Sequence, residues 1–594
     1  MRSTSAFIGI IIAAISISFL WQQYTFGTEK YERIIDSDGK GYVAYLPALF
    51  IYHDLSFSFY NLPENASIAR YFNDRFLTPA GHKTVLKTYC GVAVMLLPFY
   101  LLGCLTQVIF FGHTNGFEPI IQFFMSAGGI AYAAAGVIMV HKLLIRLGFE
   151  IKVAALTAFT LLAGTNLFYY ALFHPTMSHP YSFFLIAAFL LLSERMILAN
   201  QYRLMPVAAI TLGLIALVRP LNVVIILVPL LLAGTALQKM IKQQKRNLLI
   251  SLLSFLAIIS IQPLLNYYQC GQLFPWNYGD EGFYFSHPAL FKALFSFRNG
   301  LFVYSPVLIL TIPGLICLWK QKPTIVMPCI IMFLLLWYLI SSWWNWSSEP
   351  AFGNRSFIDW YAVLSIPIAC TMASGLKKAR SFLIILIVAL VALNMLQTWQ
   401  YLKGIIHPDG MTFEKYQYVF LKTSDEYIAS VGNGNEESYL PPVDTPFYQN
   451  TSLLSDLAYD STGVSGYDSD NLEFNAAIKN RIIAFIPLSD YVLHPMMAKV
   501  SLKRIENEFK ACTAAEVCFD YVNANGVIYY HENLRINDIP RKKTGEWKTF
   551  NYQFVMPAMK SKSDQLVAYI SNPHGKNFVI KDIKIALYNF KTSP

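Results

Sequence analysis

The chain is poor in charge. Only 14% of its 594 residues are Asp, Glu, Lys or Arg, where a soluble domain carries about 25%. With 55% hydrophobic residues and a mean hydropathy of +0.42, that deficit excludes a purely soluble protein. It leaves a polytopic membrane protein with room for one soluble domain. Zinc-type cysteine spacing is also missing, so no zinc module is expected. Five of the eight cysteines, Cys90, Cys104, Cys317, Cys329 and Cys370, lie in apolar stretches and read as small packing residues. Cys512 and Cys518 sit close together in the polar tail. A disulfide suits them if that tail lies outside the cytoplasm, and two tail cysteines alone do not decide it. A transporter places ionisable residues near helix midpoints, and acidic pairs of that kind are lacking. The net charge of +10 fits basic loops on the cytoplasmic face better than nucleic acid. No small-residue cleavage site follows the first apolar segment, 5–21, so it reads as an anchor rather than a signal peptide.

What is present is a series of apolar runs. A spanning helix needs roughly 20 apolar residues, and the candidates are 5–21, 120–141, 153–170, 181–198, 204–218, 221–236, 248–265, 301–319, 324–340, 358–376 and 381–400. Basic connections at 141–152, 239–246, 320–322 and 377–380 can all be cytoplasmic together. The run 204–236 is too long for one helix and carries Arg219-Pro220 at its centre. An Arg at mid-bilayer costs about 2.5–3.5 kcal/mol, and a hairpin with Arg219 at the outer face avoids that. Segments 174–179, 266–300, 342–357 and everything after 400 then lie outside. With the amino terminus inside, which Arg2 favours, loop 22–89 is outside and 91–111 must lie in the interface or re-enter. About eleven crossings result; an outside amino terminus gives about twelve.

Polar and aromatic residues concentrate on this outer face. The first loop holds Asp36, Asp38, His53, Asp54, Lys83 and Lys87. Later loops hold His174 and His179, then Arg219, then Trp276, Asp280, Glu281, His287 and Arg298, and lastly Trp343, Trp344, Trp346, Glu349 and Arg355. Lys87, Arg219, Arg298 and Arg355 suit an anionic group such as phosphate, although Arg219 and Arg355 also suit snorkelling. The tryptophans fit an interfacial belt or a sugar platform. His174 and His179 show no metal spacing and read equally as polar interface residues. Asp36-Ser-Asp-Gly39 reads alone as a turn. It resembles the start of a calcium loop, but the third acidic ligand and the distal Glu are missing. Beside a long outer loop with basic partners, the functional reading of these carboxylates takes precedence.

In this context the chain resembles the C-type (GT-C) membrane glycosyltransferase superfamily, polyprenyl-phosphate-sugar dependent, with protein O-mannosyltransferases and the lipid A aminoarabinose transferase among the relatives. The stretches that carry the resemblance are Asp38-Gly-Lys-Gly-Tyr42, Lys87-Thr-Tyr-Cys-Gly91, Phe173-His-Pro-Thr-Met-Ser-His179, Leu217-Val-Arg-Pro220, Asn299-Gly-Leu-Phe-Val-Tyr-Ser-Pro306 and Phe352-Gly-Asn-Arg-Ser-Phe-Ile-Asp359. Gly39 stands where the family carries Glu, and the family's prolines after the lysine are absent. The resemblance covers roughly 1–422. It implies transfer of a sugar from a polyprenyl-phosphate donor to a hydroxyl of an envelope glycan, lipid or protein acceptor, with inversion. Asp38 is the expected general base, with Asp36 as the alternative. Lys87, Arg219, Arg355 and His179 are expected at the donor phosphate. Asp280, Glu281, His174 and Arg298 are candidates for the acceptor or a divalent metal ion. The implied location is a bacterial inner membrane, with the site facing the periplasm. Membrane lipids are expected partners; nucleic acid is not. A transporter or flippase of envelope glycolipids, or a non-catalytic scaffold with an external binding domain, remains the competing reading.

The expected fold is an all-α polytopic membrane domain over 1–400, with the motif-bearing outer loop at 23–89. A connecting helix and linker follow over 401–473. The remainder, 474–594, shows alternation at Phe550, Tyr552, Phe554 and Met556, at Leu566, Ala568 and Ile570, and at Ile583, Ile585 and Leu587. That pattern predicts an all-β sandwich, and the run 547–588 resembles jelly-roll carbohydrate-binding modules.

Overall fold

A computed structural model describes residues 34–65, 72, 76–278, 281–428, 430–431, 446–450, 471–487, 495–506, 515–536, 545–572 and 575–589. The expected anchor at 5–21 and the candidate Asp280 lie outside the described residues. The chain forms a polytopic helical membrane region and a carboxy-terminal β-rich domain. It divides into two compact units. One comprises Met1–Phe283, Leu301–Trp343 and Gly353–Met395; the other comprises Tyr284–Gly300, Trp344–Phe352 and Leu396–Pro594.

Seven helices among the described residues are long and apolar enough to cross a membrane: Gly91–Phe111, Pro119–Arg146, Ser178–Ile197, Lys245–Cys270, Pro323–Ser342, Arg355–Ser374 and Arg380–Leu402. An eighth span results if Ile151–Ala163 and Leu167–Phe173, bent by 60°, count together. The apolar helices Tyr202–Val218, Pro220–Ala233 and Pro306–Gln321 are shorter. The run 91–111, expected to lie in or re-enter the interface, is thus one continuous helix of spanning length.

Polar residues mark the breaks. At the 60° bend, Asn166 Oδ1 accepts from the Tyr361 hydroxyl at 2.6 Å, and the Asn166 amide donates to Ser305 Oγ at 3.2 Å. At Arg219 the backbone turns extended (φ −150°, ψ 105°), because a following proline disfavours the helical conformation. One expectation is corrected. Cys317 and Cys370 are joined as a disulfide with Cα atoms 6.1 Å apart, rather than acting as separate packing residues. The helices Thr311–Gln321 and Tyr361–Lys378 pack side by side, which brings two small side chains into register. Cys90, Cys104 and Cys329 are buried free thiols.

A two-stranded hairpin, β1 (Leu77–Ala80) and β2 (Lys83–Leu86), precedes the first of these helices. The second unit holds β3 (Tyr448–Asn450), β4 (Asn471–Phe474), β5 (Asn480–Pro487), β6 (Met496–Ile505), β7 (Glu516–Val522), β8 (Ile528–Arg535), β9 (Lys548–Met556), β10 (Gln565–Ser571) and β11 (Phe578–Asn589). They form two antiparallel sheets, in the orders β5-β10-β7-β8 and β3-β11-β6-β9, with β4 also paired to β11. Strand alternation makes the core. Met496, Ala498, Val500 and Leu502 of β6 meet Val517, Phe519 and Tyr521 of β7 in one apolar cluster, while Lys499, Ser501 and Lys503 take the other face. Strand β3 and the first three residues of β4 fall inside the span expected to be linker; three- and four-residue strands are too short to give a visible alternation. Cys518 is buried and forms no disulfide with the described residues; Cys512, the partner left open by the sequence, lies outside them.

Candidate active site

Asp38 sits at the head of the five-residue helix Gly39–Val43, and its side chain makes no capping bond there. The turn before it closes through the Gly39 amide on the Asp36 carbonyl (3.0 Å) and the Lys40 amide on the Ser37 carbonyl (3.1 Å). This segment is pressed onto the 174–179 loop. A Cβ at position 39 would lie 2.2 Å from Thr176 Oγ1, so only glycine fits where the resembling family has Glu. Thr176 Oγ1 donates to the Ile34 carbonyl (2.9 Å), and Gln122 Oε1 accepts from the Ile34 and Ile35 amides (2.9 and 3.2 Å). The segment just before Asp38 is therefore tied to the helix Pro119–Arg146 and to the connection that holds Thr176.

Three cations approach this carboxylate. Arg355 opens the turn Arg355–Trp360, where Asn354 caps by accepting from the Ser356 amide. Its Nη2 donates to Asp38 Oδ2 at 2.8 Å. Lys87 follows β2, whose end is fixed by Gln269 accepting from the Leu86 amide (2.9 Å) and Asn277 donating to the Leu86 carbonyl (3.0 Å). The Lys87 ammonium pairs with Glu281 at 2.5 Å and lies 5.7 Å from the centre of the Tyr278 ring. Gly91 lets the helix behind Lys87 reach the end of Met205–Val218, since a Cβ there would lie 2.2 Å from the Val218 amide nitrogen. Arg219 is the next residue.

Arg219 is held by a buried aspartate. Asp359, 1% exposed, has its Oδ2 3.3 Å from Arg219 Nε and accepts there from Asn222 Nδ2 at 2.7 Å. Its Oδ1 lies 2.9 Å from His179 Nδ1. Arg219 Nη1 is 3.2 Å from the same imidazole nitrogen, and Asn222 also donates to Ser182 Oγ at 3.1 Å. Asp359 thus gathers polar groups from two places, His179 on the helix Ser178–Ile197 and Arg219 with Asn222 at the turn that follows Met205–Val218.

The charges around Asp38 oppose its burial. Burial raises its pKa, but the positive groups, led by Arg355 and Lys87 and including Arg219, outweigh it and hold the carboxyl below the ordinary 3.8. The side chain nevertheless keeps 40% of its surface open, so an acceptor can reach it. Tyr42 and Tyr278 adjoin the same charges. Burial, and for Tyr42 next the Asp38 carboxylate, raises both phenols. Both stay protonated and able to donate.

The sequence candidates fall into distinct places. Asp38, Lys87, His179, Arg219 and Arg355 form one electrostatic neighbourhood. Asp36 is exposed and makes no side-chain hydrogen bond or ion pair with the described residues. Glu281 is the partner of Lys87. His174 packs against the rings of Tyr169 and Tyr170, at 5.2 and 6.2 Å between centres. Arg298 belongs to the other unit, where it pairs with Glu349 at 2.5 Å. Among the described residues, no three His, Cys, Asp or Glu side chains converge in a group able to hold a metal ion. Asp359, Asn222, Tyr42 and Tyr278 were not singled out from the sequence. Asp359 closes one of the resembling stretches, and its position four residues after Arg355 was the available signal.

No protein-family model and no curated protein matches the sequence. Among solved structures, the chain is similar to the arabinosyltransferase EmbB from Mycobacterium smegmatis, with 10% identity and a TM-score of 0.37. The match covers 98% of this chain and 64% of that one, so the chain spans about two thirds of that protein's length.

Proposed function

We propose that the protein is an integral-membrane glycosyltransferase that moves a sugar from a polyprenyl-phosphate donor to an acceptor hydroxyl. The observation that carries this reading is the Asp38–Arg355 contact at 2.8 Å, with Lys87 and Arg219 acting on the same half-open carboxylate. A carboxylate and several cations among apolar helices suit a lipid-borne phosphate on one side and a hydroxyl on the other.

Asp38 takes the proton from the acceptor hydroxyl as its oxygen bonds to the anomeric carbon. The bond from that carbon to the phosphate oxygen breaks on the opposite face, and the phosphate leaves with the electron pair. The configuration inverts. Arg355, Arg219 and Lys87 take up the charge that grows on the leaving phosphate, where a water-poor setting strengthens them. The leaving group is a stable anion, so no general acid is required. In the free protein Asp38 is a weak base, because Arg355 stabilises its charge. A donor phosphate drawing on Arg355 raises the proton affinity of Asp38 at the moment it is needed. Asp36 is the second candidate base. Asp359, with His179 and Asn222, positions Arg219.

In this reading the acceptor is an envelope glycan, lipid or protein, and the site faces the periplasm of a bacterial inner membrane. In the same reading the β-rich domain of the second unit is a periplasmic jelly roll. Numbered from β4, its sheets run 1-8-3-6 and 2-7-4-5, an order that supports two interlocked Greek keys. The test is release of polyprenyl phosphate by the purified protein, given a panel of polyprenyl-phosphate sugars and a membrane lipid extract. Acceptor-dependent release by wild type, and release slower by about 10²–10⁴-fold in Asp38→Asn, is expected. Release by neither across the panel contradicts the proposal.

A further inference from the structure

A cavity of about 340 Å³ opens on the outer face of the β3-β11-β6-β9 sheet. It lies wholly in the second unit and is independent of the Asp38 site. Strand register builds it. Ala586 of β11 stands opposite both Gln449 of β3 and Lys499 of β6, and Lys499 stands opposite Gln553 of β9. In the next row on the same face, Ser501 stands opposite both Lys584 and Asn551. Small side chains, Ala586 and Ser501, make the floor. Amides and two ammonium groups make the walls. The volume falls at the lower end of the ~300–1,000 Å³ typical of ligand pockets.

The chemistry of the walls narrows the ligand. Gln449, Asn551 and Gln553 make no side-chain hydrogen bond with the described residues, and neither Lys499 nor Lys584 has a carboxylate partner among them. Lys503, on the same face, differs: it pairs with Asp582 at 2.8 Å. The Lys499 ammonium is held 4.9 Å over the Tyr588 ring, which fixes a cation at one end. An amide both donates and accepts, as a sugar hydroxyl does. A phosphate backbone only accepts, and single-stranded nucleic acid relies on aromatic stacking that this lining does not supply. An extended peptide adds to a sheet edge, whereas this cavity lies on a face. We propose that the cavity binds an acidic saccharide, with the amides reading hydroxyls and Lys499 and Lys584 reading a carboxylate or phosphate substituent.

The test is calorimetric titration of the full chain in detergent with trigalacturonic acid, glucose 6-phosphate and neutral maltotriose. Saturable binding of at least one acidic probe, about tenfold tighter than maltotriose, is expected. Whichever acidic probe binds identifies the substituent. The double variant Lys499→Gln, Lys584→Gln should weaken that binding by about tenfold or more, and Lys503→Gln should leave it unchanged. Asn551→Ala, at an exposed position, supplies a second variant that spares the core. It should weaken binding of the acidic probe while thermal unfolding stays as in wild type. No binding of either acidic probe, equal binding of maltotriose, or binding indifferent to both pocket variants overturns the proposal.

Discussion

Two aspartates in the membrane unit face arginines, and the resemblance ends there. Asp359 is sealed: 1% exposed, with His179, Arg219 and Asn222 on its two oxygens. Asp38 is half open, with one arginine at 2.8 Å and a free approach from one side. A carboxylate whose oxygens are taken up by buried neighbours has none to offer a substrate, so Asp359 is fitted to hold geometry. A carboxylate with one charged partner and an open edge can exchange that partner and take a proton. In the proposed mechanism, exposure and donor count, rather than residue type or the presence of an arginine, separate a positioning carboxylate from a reactive one.

The comparison can be broken most directly at Asp359. Asp359→Ala leaves Arg219 and His179 without their buried counter-charge, and removing one partner of a buried pair costs about 3–5 kcal/mol. A large fall in the unfolding midpoint is expected in detergent. The matching change, Asp38→Asn, should cost at most about 1 kcal/mol, the scale of a solvent-exposed pair. Equal losses in the two variants would erase the distinction. A smaller effect is expected at Gly39. The Cβ of Gly39→Ala meets Thr176 Oγ1, and overpacking of this kind costs about 1–3 kcal/mol. The loss should be partly restored by adding Thr176→Ala. No loss in the single variant would mean that Asp38 is not held against the 174–179 loop. The smallest effect concerns pH. Because Arg355 is the leading cause that lowers the Asp38 carboxyl, and burial opposes it, Arg355→Gln should raise that pKa. A base is inactive when protonated, so the acid limb of kcat/KM should move to higher pH in the variant. An unmoved limb would assign it to another group.

Much of this was legible in the sequence. Apolar runs of about 20 residues specified the long helices, and the alternation at Leu566, Ala568 and Ile570 reappears as one core-facing row of β10. Lys87, Arg219 and Arg355 could be named because cations beside apolar runs stand out. Asp359 could not: it lies at the start of an apolar helix, and its burial among partners from positions 179, 219 and 222 is a property of packing. The bend at 164–166 was equally hidden, since Asn166 interrupts an apolar run without a proline. Glu281 was read as a ligand for acceptor or metal; its pairing with Lys87 depends on a contact 194 residues apart in the chain.

In the proposed function Asp38 takes the proton and the cations around it hold the phosphate. The most direct test measures donor affinity and turnover together, for wild type and Asp38→Asn, with a polyprenyl-phosphate sugar that wild type accepts. The expected result is near-normal donor affinity in the variant, because Lys87, Arg219 and Arg355 remain, with turnover lower by about 10²–10⁴-fold, the usual contribution of a general base. Normal turnover in Asp38→Asn would contradict the central claim.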